Sequence, residues 1–126
     1  MRSASMILIA TTHLINIAVL LAVLSQFVTD APGMVEAYGA DGPARRILAS
    51  IYGAILLGST AALAVLAVAG SSQRWLVFSA SLFAIQLIYK LATIFTVGLG
   101  NPVVIANTVI CIPLALSIGW VVLRSA

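Results

Sequence analysis

The stretch MILIATTHLINIAVLLAVLSQFV, residues 6–28, decides the fold, because none of its residues is Asp, Glu, Lys or Arg. A helix needs about 20 apolar residues to cross the hydrocarbon core of a bilayer. Three further apolar runs lie at 47–69, 75–96 and 102–123, and among them only 75–96 contains a charged residue, Lys90. Backbone polar groups in lipid must be paired internally, so we expect helices in all four runs. The prediction is an all-α integral membrane protein, a single domain over residues 1–126 with four helices in an up-down bundle.

The composition excludes most soluble classes of protein. Hydrophobic residues make up 63% of the chain and charged residues only 7%, whereas a soluble domain has about 25% charged residues. Such a chain has too little polar surface for a soluble enzyme. Its six basic residues are scattered along the chain, which is not typical of a nucleic-acid-binding face. The lone Cys111 excludes an intrachain disulfide and any CxxC metal or redox motif.

Turn-forming residues separate the four runs, and the first connection, residues 29–44, is the longest. It contains all three acidic residues of the chain, and within it we predict a short interfacial helix at 34–38. Pro43 and Pro102 are suited to the first turn of the helices that follow them. Asp41 is a candidate N-cap.

Four spans place both termini on the same side of the membrane. Basic residues on that side are Arg2, Arg74 and Arg124; Arg45 and Arg46 lie on the other, with Lys90 closer to it. The tally is nearly even, and we favour cytoplasmic termini in a bacterial inner membrane. The first run is too long for a signal peptide and lacks an A-x-A-like cleavage site, so we expect it to be retained.

Polar side chains inside the spans are the candidate functional residues, because they are costly in lipid. Gln86 and Lys90 lie one turn apart on the same face of the third helix. At a rise of about 1.5 Å per residue, Lys90 lies roughly 9 Å below the end of its span, and Tyr52 and Asn107 come out at a similar depth. We predict one interior ligand-binding cluster drawn from all four helices. Its members are Asn16, Tyr52, Gln86, Lys90 and Asn107.

Lys90 has three interpretations at this stage. It is a buried cation that binds an anionic or carbonyl-bearing ligand, or its ammonium reaches the membrane surface along a buried stem. In the third, it forms an ion pair with Glu36 or Asp30 from the first loop. For Asn16 and Gln86, the alternative to ligand binding is hydrogen bonding between helices.

His13 is the sole histidine of the chain. It is a candidate for metal or haem ligation or for a proton relay, and the alternative is a residue that only forms a hydrogen bond. A membrane haem usually takes two axial ligands, and a second histidine is absent. No metal or haem set is therefore evident, and we name no cofactor.

The segment from Val35 to Gly42, followed by Ala44-Arg45-Arg46-Ile47 and Ile51-Tyr52-Gly53-Ala54, resembles the DoxX-like small membrane proteins. These proteins have four helices, a first loop, and an arginine that leads into a Tyr-Gly pair on the second helix. The resemblance covers less than half of the chain. It implies a compact accessory bundle and supplies no catalytic residues.

The absence of catalytic motifs favours a protein that is not an enzyme. No acidic residue lies within a span, and the chain has neither CxxC nor HExxH. Our first hypothesis is a non-enzymatic accessory or scaffold subunit of a larger membrane assembly, of a redox or energy-converting kind. Its partners would be membrane lipids and other membrane subunits or further copies of itself, without nucleic acid. The alternative is a small channel, carrier or lipid- or quinone-binding protein with a polar site around Lys90.

Overall fold

Turn residues divide the chain into long apolar helices. The computed structural model describes residues 2–125, with side chains from 4 to 123, and within those residues it contains five helices and no strand. The helices are α1 (Arg2–Val28), α2 (Pro32–Tyr38), α3 (Pro43–Ala69), α4 (Gln73–Thr96) and α5 (Pro102–Ser125). All but α2 are long and apolar enough to cross a membrane. The all-α prediction is confirmed, and the four apolar helices indicate a membrane protein.

The predicted ends of the first three long helices, at residues 28, 69 and 96, are confirmed, as is the start of α5 at Pro102. The predicted starts at 47 and 75 are too late. Helix α3 already begins at Pro43, whose fixed φ suits a first helical turn. Helix α4 begins at Gln73 because the Ser72 hydroxyl accepts a hydrogen bond from the Trp75 N–H at 3.2 Å. Hydropathy marks where the chain becomes apolar, whereas the capping residues set where the helix begins.

The prediction of Asp41 as a helix cap is wrong. Gly42 is the N-cap of α3 and provides no side-chain cap, while Asp41 accepts hydrogen bonds from Nη2 and Nε of Arg46 at 2.7 and 3.3 Å. These hydrogen bonds hold the pKa of the Asp41 carboxyl below its ordinary value of 3.8. The carboxylate therefore stays ionised at neutral pH and pairs with Arg46 at the loop surface.

The predicted loop helix is present and begins two residues earlier than expected, at Pro32. Its Met34 side chain is buried against the bundle. Its far end is fastened to the turn between α4 and α5, where Asn101 Nδ2 donates to the Ala37 carbonyl at 3.0 Å. Helix α2 therefore lies across one end of the bundle.

The four long helices pack in a ring. Helix α1 packs against α3 and α5, and α4 also packs against α3 and α5. Two buried apolar clusters lie within this ring. The first contains Ile9, Trp75, Phe83, Leu114 and Val121. The second contains Leu20, Tyr52 and Ile55, and is the one that Phe27 and Tyr38 adjoin near the first loop.

Arg45 fastens the first loop to the bundle. Its residue is only 5% exposed, and its Nη1 donates to the Gly39 carbonyl at 3.0 Å. Its Nη2 donates to the Asp30 carboxylate, and its guanidinium carbon lies 5.5 Å from the centre of the Phe27 ring. One side chain of α3 thus holds the end of α1 and the residue that follows α2.

Replacing Arg45 with Gln should lower the free energy of unfolding by about 2–3 kcal/mol, because two hydrogen bonds from a buried charge are lost. The measurement is unfolding by SDS in mixed micelles. Arg46→Gln is the matched control, since its guanidinium is exposed and pairs with Asp41 at the surface. Equal effects of the two substitutions would contradict the role assigned to Arg45.

Candidate functional site

A cleft of about 230 Å³ lies where α1, α2 and α5 meet, near the first loop. Its walls are largely apolar. The polar side chains that line it are Gln26, Tyr38, Tyr52, Lys90 and Asn107. Since no carboxylate is among the lining residues of this cleft, its polar surface is positively charged and rich in hydrogen-bond donors.

Lys90 is the charged group of the cleft. Its residue is 4% exposed, and its Nζ donates to Asn107 Oδ1 at 2.7 Å and lies 5.1 Å from the centre of the Tyr89 ring. An ammonium has three N–H donors, so the hydrogen bond to Asn107 leaves two for another acceptor. The ammonium is therefore buried within the bundle, where it is bonded to the neighbouring helix α5.

The possible ion pair of Lys90 with Asp30 or Glu36 is not formed among the residues that the structure describes. Asp30 pairs with Arg45, and Glu36 is exposed on α2. The reason is distance along the fold, because Arg45 reaches the loop from the start of α3 while Lys90 lies deeper in α4. Of the three interpretations of Lys90, this arrangement favours a buried cation without a carboxylate partner.

Three tyrosines lie together at this end of the bundle. The hydroxyls of Tyr38 and Tyr52 are 3.5 Å apart, a long hydrogen bond, and Tyr89 packs against the apolar cluster that contains Tyr52. The buried Tyr89 hydroxyl has no hydrogen-bond partner among the described residues. Burial raises the pKa of Tyr38 well above its ordinary value of 10.0. Tyr38 therefore remains a neutral hydroxyl that can donate a hydrogen bond.

The predicted cluster of five residues divides into two groups. Tyr52, Lys90 and Asn107 line the cleft, whereas Asn16 and Gln86 are buried outside it. Asn16 Nδ2 donates to Ser59 Oγ at 3.3 Å, and Gln86 Nε2 donates to the Leu82 carbonyl of its own helix at 3.3 Å. Both lie about one helical turn away from the cleft-lining residues of α1 and α4. The amide of Asn16 thus joins helices.

His13 is fully buried, and its ring lies 4.5 Å from the Phe83 ring. Its Nε2 is 2.9 Å from Ser79 Oγ, while Nδ1 has no hydrogen-bond partner among the described residues. Among the residues that the structure describes, no group of three His, Cys, Asp or Glu residues is placed to hold a metal ion. The geometry supports the interpretation of His13 as a hydrogen-bonded core residue.

Helix α1 bonds to each of the other three long helices through three polar side chains. Besides Asn16 and His13, Thr12 Oγ1 lies 2.9 Å from Ser117 Oγ of α5. Two of the three serine partners, Ser79 and Ser117, are not predicted from the sequence, because a serine in a helix can equally bond its own backbone. The third, Ser59, is one of the weaker polar candidates within the apolar runs. A usable signal was the spacing on α4, where Ser79 lies on the same face as Gln86 and Lys90.

No family model, curated protein or solved structure matches this chain. The resemblance to the DoxX-like proteins is neither supported nor refuted by these comparisons.

A double-mutant cycle of Thr12→Val and Ser117→Ala should give a coupling free energy of about 0.5–1.5 kcal/mol, typical of a hydrogen bond between membrane helices. The measurement is again SDS unfolding of the two single variants and the double variant. Thr60→Val is the control, because the exposed Thr60 hydroxyl bonds only to Leu56 of its own helix. A coupling of zero would show that the contact adds nothing to bundle stability.

Proposed function

We propose that this chain is a membrane protein that binds an amphiphilic small molecule in the cleft at Lys90, as a carrier or as a lipid- or quinone-binding protein. The ligand presents an oxygen acceptor, a carbonyl or a carboxylate, to the ammonium. The observation that carries the proposal is a buried cation with two spare donors in a largely apolar cleft.

The proposal includes an up-down bundle with four membrane spans. Short connections between α3 and α4 and between α4 and α5 favour antiparallel neighbours. The contacts Asn16–Ser59 and Phe27–Arg45 support opposite directions for α1 and α3, since residues later in α1 meet residues earlier in α3. Both termini then lie on one side, for which we favour the cytoplasm of a bacterial inner membrane. The side chains of Arg2 and Arg124, which enter that tally, lie outside the described residues.

The energetics of Lys90 support ligand binding. Removing an ammonium from water costs several kcal/mol even after the protein relaxes, and the neutral amide of Asn107 supplies one hydrogen bond. Charge-assisted hydrogen bonds are about twice as strong as neutral ones. An acceptor oxygen in the cleft would therefore recover part of the cost of burying the charge.

The size of the cleft limits the head group. An apolar cavity of about 150 Å³ holds benzene, so 230 Å³ accommodates a single ring or a short length of one alkyl chain. Lys90 lies about 9 Å from the end of α4, which places the head group just below the membrane surface. A molecule with a small polar head and an apolar tail fits both limits.

Purified protein in nanodiscs should bind laurate or decyl-benzoquinone, two probes that share a polar oxygen and an apolar tail. Lys90→Met should weaken that binding at least tenfold, because it removes the donor and retains an apolar side chain of similar length. Native mass spectrometry of the released protein measures the bound fraction.

Gln86→Leu is the matched control, since Gln86 is buried in the same helix one turn from Lys90 and does not line the cleft. It should bind the probes as the unaltered protein does. Binding of neither probe, or equal binding by the Lys90→Met variant, would overturn the proposal.

The hypothesis of an accessory subunit stays a prediction beside this one. The long helices expose large apolar side chains such as Leu57, Phe95 and Ile112 on their outer faces, and these faces suit lipid as well as other membrane helices. Extraction in mild detergent that yields a monomer without companions would contradict the hypothesis.

A further inference from the structure

We infer that the cleft at Lys90 selects a carboxylate carried on a single alkyl chain, over neutral carbonyl compounds and over phosphates. This inference rests on the proposed function and specifies its ligand. It follows from the charge, the donor set and the shape of the cleft.

The charge of the cleft matches a monoanion. Lys90 is the one cation among the lining residues, and no carboxylate lines the cleft to neutralise it. The other buried cation of the described chain, Arg45, is already paired with Asp30 and bonded to the Gly39 carbonyl. A monoanion would leave the cleft neutral. A phosphate dianion would bring a second negative charge that no described group in the cleft balances, and buried unpaired charges are costly.

The donors of the cleft also match a carboxylate. Two N–H groups of Lys90 remain after its hydrogen bond to Asn107. The hydroxyls of Tyr38 and Tyr52 share one long contact, so one of their two hydrogens is available to another acceptor. A carboxylate has two oxygens with about four lone pairs, whereas a carbonyl has one oxygen. The carboxylate therefore satisfies more of these donors and adds the charge that strengthens each bond.

The walls suit a single chain that leaves the cleft between α1 and α5. Val19 and Val23 of α1 are half-buried along one side, and Ala106 of α5 is exposed along the other. This edge is open to the surrounding lipid in the proposed membrane arrangement. The rim at α2 also has open space, because a Cβ added to Gly33 would meet no atom within 4 Å. A tail of more than a few carbons would thus extend into the bilayer while its head group stays at Lys90.

The experiment measures the dissociation constants of laurate, methyl laurate, decyl-benzoquinone and dodecyl phosphate for the full chain in nanodiscs. We expect laurate to bind at least about tenfold more tightly than the other three. Lys90→Met should abolish that preference. Ala106 lies on the exposed rim, so the fold should tolerate Ala106→Phe. This substitution should weaken the binding of laurate, because the larger side chain narrows the exit for the alkyl tail. Acetate in excess should not displace laurate, because it lacks the tail.

The outcomes separate this inference from the proposed function. If methyl laurate or the quinone binds as tightly as laurate and this binding depends on Lys90, the inferred preference for a carboxylate is wrong. The proposed function would still stand. If dodecyl phosphate binds more tightly than laurate, the inferred preference for a monoanion is wrong. If acetate displaces laurate, the alkyl tail does not contribute to binding. Absence of binding by every probe would overturn both proposals.

Discussion

The bundle depends on one constraint: a polar atom shielded from water needs a partner inside the protein. Three successive polar side chains of helix α1 each place one polar atom against a partner on a different helix. Thr12 reaches α5, His13 reaches α4 and Asn16 reaches α3. In hydrocarbon, apolar contact between helices is little better than contact with lipid, so such bonds and close packing fix which faces meet. Three polar contacts near the centre of the bundle therefore determine which helices lie next to α1.

The two ends of the bundle differ, and this difference positions the cleft. Toward one end, Trp75 and Phe83 belong to a buried apolar cluster, and the Trp75 indole N–H donates to the Ala62 carbonyl. Toward the other end, the chain inserts α2 and the loop that Arg45 holds, and the helices no longer fill the interior. The cleft with Lys90 lies beneath this cover. The loop that Arg45 fastens and the cleft beneath it therefore belong to the same end of the bundle.

The sequence predicts the helices well because hydropathy and turn residues act locally. The grouping of Tyr52, Lys90 and Asn107 in the cleft also follows from depth alone, since a fixed rise per residue relates different helices. Asn16 and Gln86 lie about one helical turn farther from the first loop than the cleft-lining residues of their helices. Their residue types alone do not distinguish a ligand contact from the hydrogen bonds that they make within the bundle. The burial of Arg45 was missed for a related reason. An arginine at a span boundary reads as a surface charge until the path of the first loop is known.

Asn101 joins the cover to the bundle by using both ends of its amide. Its oxygen accepts from the Val103 N–H and so caps α5, while its nitrogen holds the Ala37 carbonyl of α2. Any outward swing of α2 must break the second bond and leaves the first intact. An aspartate at this position would still cap α5 but would repel the carbonyl, so the two tasks are separable by a change of one atom. The attachment of α2 can therefore be weakened without loosening the start of α5, the helix that carries Asn107.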